Sequence, residues 1–456
     1  MSEHTTEGQS PLTAPISRRT LLQRGVTAAA AATGAGTLAS LAGSDLASAA
    51  IQREAPFNII GRAPVTITFA AWGGPEAIKP FQKTMQKFMA RYPNIKVRLV
   101  AIPAQGWAAL FETIITRIAA GNAPDILRVA IEGIALFGSK NLAYPLNSFM
   151  KTDAAFIEEL RSDSLPVMWK VLAYKGKQLA LPFSYNNMMV WYNTSLISRP
   201  KDNWTGDDFL AMCAKLKKQG RYGTDLWPAG LFGLEAWSLS AGANLLNDDW
   251  TRSTATDRGN LVAWEFMHDL VWKYKYAPRP KTNFPEATFF ESGRLGTFLA
   301  GRWPLFQLEQ DKFCTHNSCA ADVQFFPVLG GGPRKVIFGI DGYPVIRTSK
   351  HPEAAWELSK YLSTKEAMTD WMVQGTNIPC RKSLAYAKWM NPPAHYRDFF
   401  DSLAAGGTAV TSPPQYNEID TATTKWYSKM LANQVSPKAA LAGLDQDITA
   451  ILKKPA

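Results

Sequence analysis

At 456 residues the chain is longer than one ordinary hydrophobic core supports, so we expect two lobes. Its 46% apolar and 19% charged residues are typical of a folded globular protein and argue against a disordered one. The formal net charge of +11 comes without a long basic run or a nucleic-acid motif. We therefore interpret the charge as a solvated basic surface and expect no nucleic-acid partner.

The first 49 residues have the features of an export signal. Arg18 and Arg19 precede a weakly apolar run, which resembles a twin-arginine signal peptide, and residues 47–49 supply small side chains for cleavage. The run is too short and too weakly apolar to span a membrane well, and Ser44 stands where a lipoprotein has its lipidated cysteine. We expect residues 1–49 to be removed and the mature chain to be soluble in the periplasm.

The chain then alternates predicted strands and helices. Apolar and polar residues alternate in the strands, and apolar residues recur at helical spacing in the helices. The predicted order is strand, helix, strand, helix and strand, at residues 65–69, 81–89, 95–99, 110–118 and 124–127. Such an order implies a largely parallel sheet whose ligand crevice lies beyond the carboxyl ends of its strands. Trp72 and Glu132 follow two of these ends.

Residues 176–193 combine two apolar stretches with a polar middle. Leu179 to Phe183 and Met188 to Tyr192 are predicted as strands, and the polar middle at residues 184–187 separates them. If this middle passes between two lobes, its side chains lie where a ligand between the lobes would be contacted. An ordinary buried strand pair with a kink is the alternative.

Beyond residue 204 the prediction is rich in helices, with a few strands. Helical spacing predicts helices at residues 207–218, 261–274, 352–362, 365–374 and from Ser436 onward. Three glycines within residues 289–303 indicate a bent helix or strand that ends at Trp303. The strand predicted at residues 336–340 is interrupted at residues 341–343, which places Asp341 and Tyr343 on an irregular segment.

The four cysteines form no CxxC pair and lie near no histidine cluster, which argues against a zinc or iron–sulfur site. We predict no metal and no cofactor. Cys314 and Cys319 are close enough in sequence to form a small disulfide loop in an oxidising compartment, and the sequence leaves open whether they do. Cys213 lies on a predicted helix face and is expected to be buried.

The order of these segments resembles that of a known family. The resembling segments are the strand that ends in Trp72-Gly73-Gly74 and residues 88–97, 118–125, 176–193, 293–303 and 339–383. The chain is similar to the extracellular solute-binding proteins of sugar-importing ABC transporters, the family 1 group that includes maltose-binding protein. The resemblance implies a two-lobed α/β fold of the type II periplasmic-binding-protein class, hinged around a central cleft. It implies a lobe 1 of residues 62–184 plus 328–375 and a lobe 2 of residues 185–327 plus 376–456.

The resemblance also implies a function. It points to a high-affinity receptor that binds a sugar, polyol or oligosaccharide between the lobes and delivers it to the membrane permease of an ABC importer. We expect a monomer without catalytic activity. Two alternatives stay open. One is a binding protein for a non-sugar solute, for which the basic charge favours an anionic ligand. The other is a secreted carbohydrate-active enzyme, in which Glu132 and Asp341 would face each other as the required carboxylate pair.

A sugar site needs aromatic planes for the apolar faces of the ring and polar side chains for its hydroxyls. Trp303 matches a stacking tryptophan in the family pattern, and Trp72 and Trp237 are further aromatic candidates. For all three, packing in the core is the alternative.

The polar candidates follow the third strand, or lie in the hinge, the interrupted strand and a return connection: Glu132, Asn186, Asp341, Tyr343 and Arg381. Glu132 could instead be an exposed acid at a helix start, Asp341 a surface acid and Arg381 a structural cation. At the hinge, residues 185–187 stand where the best-known sugar binders have an acidic residue. Ligand specificity therefore cannot be transferred from the family.

Overall fold

The structure is a computed structural model that describes residues 63–104, 106–226, 230–279, 286–315, 318–373 and 375–455. These residues belong to one compact unit, Ala55–Pro280 with Glu286–Ala456. The signal peptide predicted at residues 1–49 lies outside the described residues.

The strands are numbered in chain order. They are β1 Val65–Trp72, β2 Ile95–Ile102, β3 Ile126–Leu127, β4 Val129–Ala130, β5 Ala173–Tyr174, β6 Lys177–Gln178, β7 Ser184–Asn187, β8 Met189–Asn193, β9 Thr297–Ala300, β10 Cys314–Thr315, β11 Ser318–Cys319, β12 Ala321–Gln324, β13 Val336–Gly342, β14 Ile378–Pro379 and β15 Gly407–Ala409.

The helices are numbered in the same way. They are α1 Lys79–Arg91, α2 Trp107–Ala119, α3 Ile131–Ser139, α4 Asn147–Thr152, α5 Ala154–Ser162, α6 Pro166–Val171, α7 Gly206–Lys218, α8 Gly230–Ser240, α9 Arg258–Trp272, α10 Glu286–Glu291, α11 Pro304–Gln310, α12 Pro352–Leu362, α13 Lys365–Met372, α14 Lys382–Ala385, α15 Asp398–Ala404, α16 Tyr416–Leu431 and α17 Pro437–Leu452. Short 3-10 turns occur at Pro75–Ile78 and Lys388–Met390.

The first sheet confirms the predicted order of the N-terminal elements. Its strand order is β2-β1-β3, and both pairings are parallel. The apolar positions that defined the prediction are buried, for example Phe69 on β1 and Phe88 on α1. They form one hydrophobic core with side chains of α12 and α13, such as Trp356 and Met368. The carboxyl ends of β1 and β3 therefore lie at the same edge, as a parallel sheet requires.

The second sheet has five strands, in the order β14-β7-β13-β15, with β4 beside β13. Only β13 and β15 pair in parallel, so the prediction of a largely parallel sheet holds for the first sheet alone. The strand predicted at residues 179–183 is wrong, because this stretch is buried without regular structure and the polar residues 184–187 form β7 instead. The interruption predicted at residues 341–343 is also wrong in part, because β13 continues through Asp341 to Gly342.

The remaining large sheet, β12-β8-β9, is antiparallel. Helices α8, α9, α16 and α17 contact one another. The C-terminal helix α17 begins as predicted, since the Ser436 side chain accepts a hydrogen bond from Ala439 N at 3.2 Å and Pro437 occupies the first turn.

The structure confirms that Cys213 is buried, and it contains the Cys314–Cys319 disulfide that the sequence left open. Cys314 and Cys319 lie opposite each other on β10 and β11 and form a disulfide. Cys213 and Cys380 are free and buried. In the described part of the chain, no helix combines the length and apolar character of a membrane span, and no cluster of histidine, cysteine or carboxylate side chains suits a metal ion.

Candidate functional site

One face of the five-stranded sheet presents polar side chains from β7 and β13. Asn186 pairs with Gly339 and Ser184 pairs with Asp341. Because side chains alternate between the faces of a sheet, these four residues share one face. The opposite face is covered by α15, where Asn187 Nδ2 donates to Phe399 O at 3.0 Å and to Ser402 Oγ at 2.8 Å. The open face therefore forms the floor of the candidate site.

Asp341 is the anchor of that floor. Its carboxylate accepts hydrogen bonds from Arg128 at 2.5 Å and from Ser184 at 2.7 Å. Only 5% of the residue is exposed, so it is not the surface acid of the alternative interpretation. A buried carboxylate of this kind requires its cation, since an unpaired charge is costly away from water. Asp341 and Arg128 therefore act as one nearly neutral unit.

Arg128 connects the floor to a group of tryptophans. Its guanidinium lies 5.8 Å from the ring centroid of Trp107 and 5.9 Å from that of Trp371. Trp107 in turn lies 4.7 Å from Trp72, whose Nε1 donates to Ala104 O at 2.9 Å. Trp72 is half-buried at the end of β1. The predicted residue is thus connected to Asp341 through Trp107 and Arg128, on the edge formed by the first sheet.

Trp303 lies on the other side of the floor. It is 40% exposed, and its ring centroid is 6.4 Å from that of Phe232 on α8. A Cβ built on Gly339 would lie 3.7 Å from the Phe232 ring, which places Phe232 over the floor. Asn186 Oδ1 accepts a hydrogen bond from Arg302 N at 2.8 Å, directly before Trp303. The structure therefore places two of the predicted residues, Asn186 and Trp303, next to each other.

Three carboxyl groups from separate helices lie near this floor. Glu132, at the first turn of α3, is 4% exposed, and its Oε2 has no hydrogen-bond partner among the described residues. Burial, with Asp420 and Asp341 adding to it, raises the pKa of Glu132 to about 7. Burial likewise raises the pKa of Glu235 to about 8 and that of Asp420. Asp420 accepts from Leu231 N at 2.7 Å and Glu235 from Thr411 N at 2.9 Å.

The alternative interpretation of Glu132 was an exposed acid at a helix start. The structure confirms the helix start and corrects the exposure. A buried carboxyl whose pKa is near neutrality can both donate and accept a hydrogen bond, as a hydroxyl-rich ligand requires.

Two predicted aromatic residues, Trp237 and Tyr343, occupy packing positions in the core. Trp237 is 1% exposed between the rings of Phe209, Phe266 and Phe326, with centroids 5.0–5.9 Å away. Tyr343 is 1% exposed, its ring packs against Phe69 and Phe183, and burial raises its pKa well above the ordinary value. Neither ring has a free face, because apolar neighbours surround it, and we leave both residues out of the site.

Arg381 also differs from the expectation of a ligand contact. It is fully buried, and its guanidinium donates to Glu159 at 2.7 Å and to Ser363 O at 3.0 Å. These partners belong to α5 and to the connection after α12. The structure therefore corrects the site prediction in favour of the structural cation.

The sequence prediction missed Arg128, Trp107 and Phe232. Arg128 lies directly after β3, at a strand end of the kind that pointed to Trp72 and Glu132, so its position was a usable signal. Trp107 begins α2 and Phe232 lies in the first turn of α8, and neither has a local feature that distinguishes it from a core aromatic.

A groove of about 640 Å³ lies outside this site, between α2 and α3 on one side and α16 and α17 on the other. Its lining is mixed in charge and includes Glu112, Lys140 and Lys425. None of the eight predicted site residues lines it.

The comparison with known families decides the classification. The family described as bacterial extracellular solute-binding protein matches residues 72–369. The chain belongs to this family. The predicted membership in the solute-binding proteins is thus confirmed, and the match begins at Trp72 and includes the floor of the site.

Individual relatives of this extracellular solute-binding protein are distant. The maltotriose-binding protein of Pyrococcus abyssi is 22% identical over 298 residues, which cover 64% of this chain and 60% of that protein. An uncharacterised lipoprotein of Streptomyces antibioticus is 24% identical over 223 residues, which cover 46% of this chain and 47% of that protein. The chain thus spans about 60% or less of the length of these curated relatives.

Solved structures confirm the predicted fold. An ABC substrate-binding protein of Listeria monocytogenes in complex with cycloalternan has a TM-score of 0.74 at 23% identity, covering 85% of this chain and 98% of that one. The maltotriose-bound maltotriose-binding protein of Thermus thermophilus has a TM-score of 0.70 at 20% identity, covering 84% and 99%. The α/β fold is therefore that of the maltose-binding type of periplasmic binding proteins. The boundaries predicted for the two lobes stay a prediction.

Proposed function

We propose that this extracellular solute-binding protein binds a sugar, polyol or oligosaccharide between its lobes and delivers it to the permease of an ABC importer. The observation that carries the proposal is the exposed ring of Trp303 beside Asn186 and Phe232, above a sheet face that ends in Asp341. An exposed aromatic plane next to buried polar side chains suits a ring that has apolar faces and a rim of hydroxyls.

The names of the matched proteins support this ligand class. Those of Pyrococcus abyssi and Thermus thermophilus are maltotriose-binding proteins, and that of Listeria monocytogenes holds cycloalternan. A ligand of more than one sugar ring is consistent with aromatic side chains on both sides of the floor, Trp72 and Trp107 on one side and Phe232 and Trp303 on the other.

Localisation and assembly are part of the proposal. We infer export by the twin-arginine route with cleavage near Ala49, residence in the periplasm and function as a monomer. Lobe 1 would comprise residues 62–184 plus 328–375, and lobe 2 residues 185–327 plus 376–456. The ligand would close the lobes on each other, and the permease would recognise the closed form.

The site does not favour the two alternatives. An anionic solute would need an unpaired cation, and Arg128 is already paired with Asp341. The glycoside-hydrolase alternative pairs Glu132 with Asp341, and the ion pair with Arg128 holds the Asp341 carboxylate. We therefore expect binding without turnover.

A thermal-shift screen of the mature protein, from Ala50 onward, tests the proposal. The panel contains neutral mono- and oligosaccharides, polyols, uronates, phosphosugars, amino acids and short peptides. A ligand that binds only the folded state raises the melting temperature, by several degrees for a tight binder. We expect a shift with saccharides and no loss of the compound from solution. A shift with only another class, or consumption of the sugar, would contradict the proposal.

A further inference from the structure

Arg302 is a buried arginine whose hydrogen-bond partners are main-chain carbonyls. It is 2% exposed, between β9 and α11. Its guanidinium donates to the carbonyl oxygens of Met372, Asn377, Met390 and Pro392 at 3.5, 3.4, 3.1 and 3.4 Å. Burial lowers its pKa to about 10 while the Glu309 carboxylate opposes that shift, so the guanidinium stays charged at neutral pH beside these carbonyl dipoles.

The carbonyls come from two segments that are separate from the chain around Arg302. Met372 ends α13 and Asn377 precedes β14, whereas Met390 and Pro392 lie in and after the 3-10 turn at Lys388–Met390. Through these hydrogen bonds, the Arg302 side chain links the connection between β9 and α11 to two other segments of the fold. A lysine could reach fewer of these acceptors, because its donors diverge from a single nitrogen.

The main chain at Arg302 and at Gly301 also forms hydrogen bonds with side chains. Arg302 N donates to Asn186 Oδ1 at 2.8 Å, and Trp191 Nε1 donates to Gly301 O at 2.7 Å. A Cβ on Gly301 would lie 2.3 Å from the Trp303 ring, so that ring lies directly over the glycine. The exposed Trp303 ring thus directly follows a segment whose side chain and main chain are both hydrogen-bonded to other parts of the fold.

Resting on the proposed function, we propose that Arg302 is a positioning residue that holds the Trp303 ring ready for the ligand. A ring fixed before binding does not have to be ordered at binding, which removes a cost in affinity. Arg302 does not itself contact the ligand, because its guanidinium is buried among the four carbonyls.

The first test needs no ligand. Replacement of the 15 tryptophans by 5-fluorotryptophan makes their environments visible by fluorine NMR, and Trp303→Phe assigns the resonance of Trp303. We expect Arg302→Lys to shift or broaden that resonance. Arg381→Lys is the matched control, because Arg381 is equally buried but lies among Glu159 and Ser363. An unchanged Trp303 resonance in folded Arg302→Lys would overturn the inference.

The second test uses maltotriose in a double-mutant cycle. We expect Arg302→Lys to weaken binding about three- to tenfold in the wild-type background. In a Trp303→Ala background the same change should have no further effect, since the ring that it positions is gone. Equal losses in both backgrounds would indicate a merely structural role. If maltotriose binds none of the proteins while the fluorine resonance moves, maltotriose is excluded as the ligand, and the ordering of the Trp303 ring by Arg302 stands independently of the proposed function.

Discussion

Trp303 and Trp237 show how differently two tryptophans of one chain can be placed. Trp303 is 40% exposed, whereas Trp237 is 1% exposed among three aromatic rings. An exposed aromatic ring is available for stacking, and a buried one contributes its transfer free energy to the core. The same substitution at the two positions should therefore separate ligand binding from stability.

We predict that Trp303→Ala weakens saccharide binding about tenfold or more and changes the free energy of unfolding by about 1 kcal/mol or less. Trp237→Ala should lower the free energy of unfolding by about 3–5 kcal/mol, because it leaves a cavity in the core. Titration calorimetry and urea unfolding measure the two quantities. Equal affinity in Trp303→Ala and wild type would remove Trp303 from the site.

Among the elements, the hairpin of β10 and β11 is small enough to depend on its covalent link. The two strands have two residues each, and Cys314 pairs with Cys319 in the antiparallel register. Two-stranded hairpins have little stability of their own in water. The disulfide therefore holds this element in place.

We predict that the double change Cys314→Ser and Cys319→Ser lowers the free energy of unfolding by about 2 kcal/mol, as expected for a short closed loop. A reductant should lower the melting temperature of the wild type and leave that of the double variant unchanged. Mass spectrometry after thiol alkylation reports the bond directly. Two alkylated thiols at these positions in periplasmic protein would refute the pairing.

The sequence predicted some elements within a few residues and missed others for a physical reason. The helix at Pro352–Leu362 and the strand that begins at Val65 depend on local periodicity, which the sequence displays. Residues 184–187 are polar and have weak strand propensity, yet they form β7 because β13 and β14 supply partners from distant parts of the chain. A local sequence pattern does not show which distant strands will pair with a segment.

The same reason limits what the sequence predicts about the candidate site. Asn186 and Trp303 could be predicted from their places in recognisable segments. Arg128 could not be linked to Asp341, because the two lie 213 positions apart in sequence and neither has a local feature that identifies the other. Arg381 was predicted to contact the ligand, but its guanidinium donates to Glu159 on α5. The sequence does not show that this partner lies beside it.

In the whole molecule, folding buries several carboxyl groups in the interior. Glu132, Glu235 and Asp420 come from α3, α8 and α16, and burial raises the pKa of each. Carboxyl groups in an unfolded chain have a pKa of about 4.3. The folded state therefore holds protons that the unfolded state has lost. Their contribution to the free energy of unfolding is most favourable at a pH below the pKa of the unfolded chain. It decreases as the pH rises towards the folded-state pKa values of about 7 for Glu132 and about 8 for Glu235.

We predict that Glu132→Gln raises the free energy of unfolding at pH 8 by on the order of 2 kcal/mol and has little effect at pH 4. The amide removes the buried charge while keeping the shape. Urea unfolding at both pH values measures the difference. Glu158→Gln, at an exposed position, is the control and should change stability at neither pH. Destabilisation by Glu132→Gln at pH 8 would show that its carboxylate is stabilised in the fold.

The five-stranded sheet also determines at which stage of synthesis and folding the candidate site can form. Its strands begin at residues 129, 184, 336, 378 and 407, so most of its pairings join positions far apart in the chain. Contacts of this kind must wait for large loops to close, which slows folding. No fragment that stops before Gly407 contains all five strands. The floor of the candidate site therefore forms only after β13 has been synthesised, and nascent chains should acquire ligand affinity later than they form the N-terminal sheet.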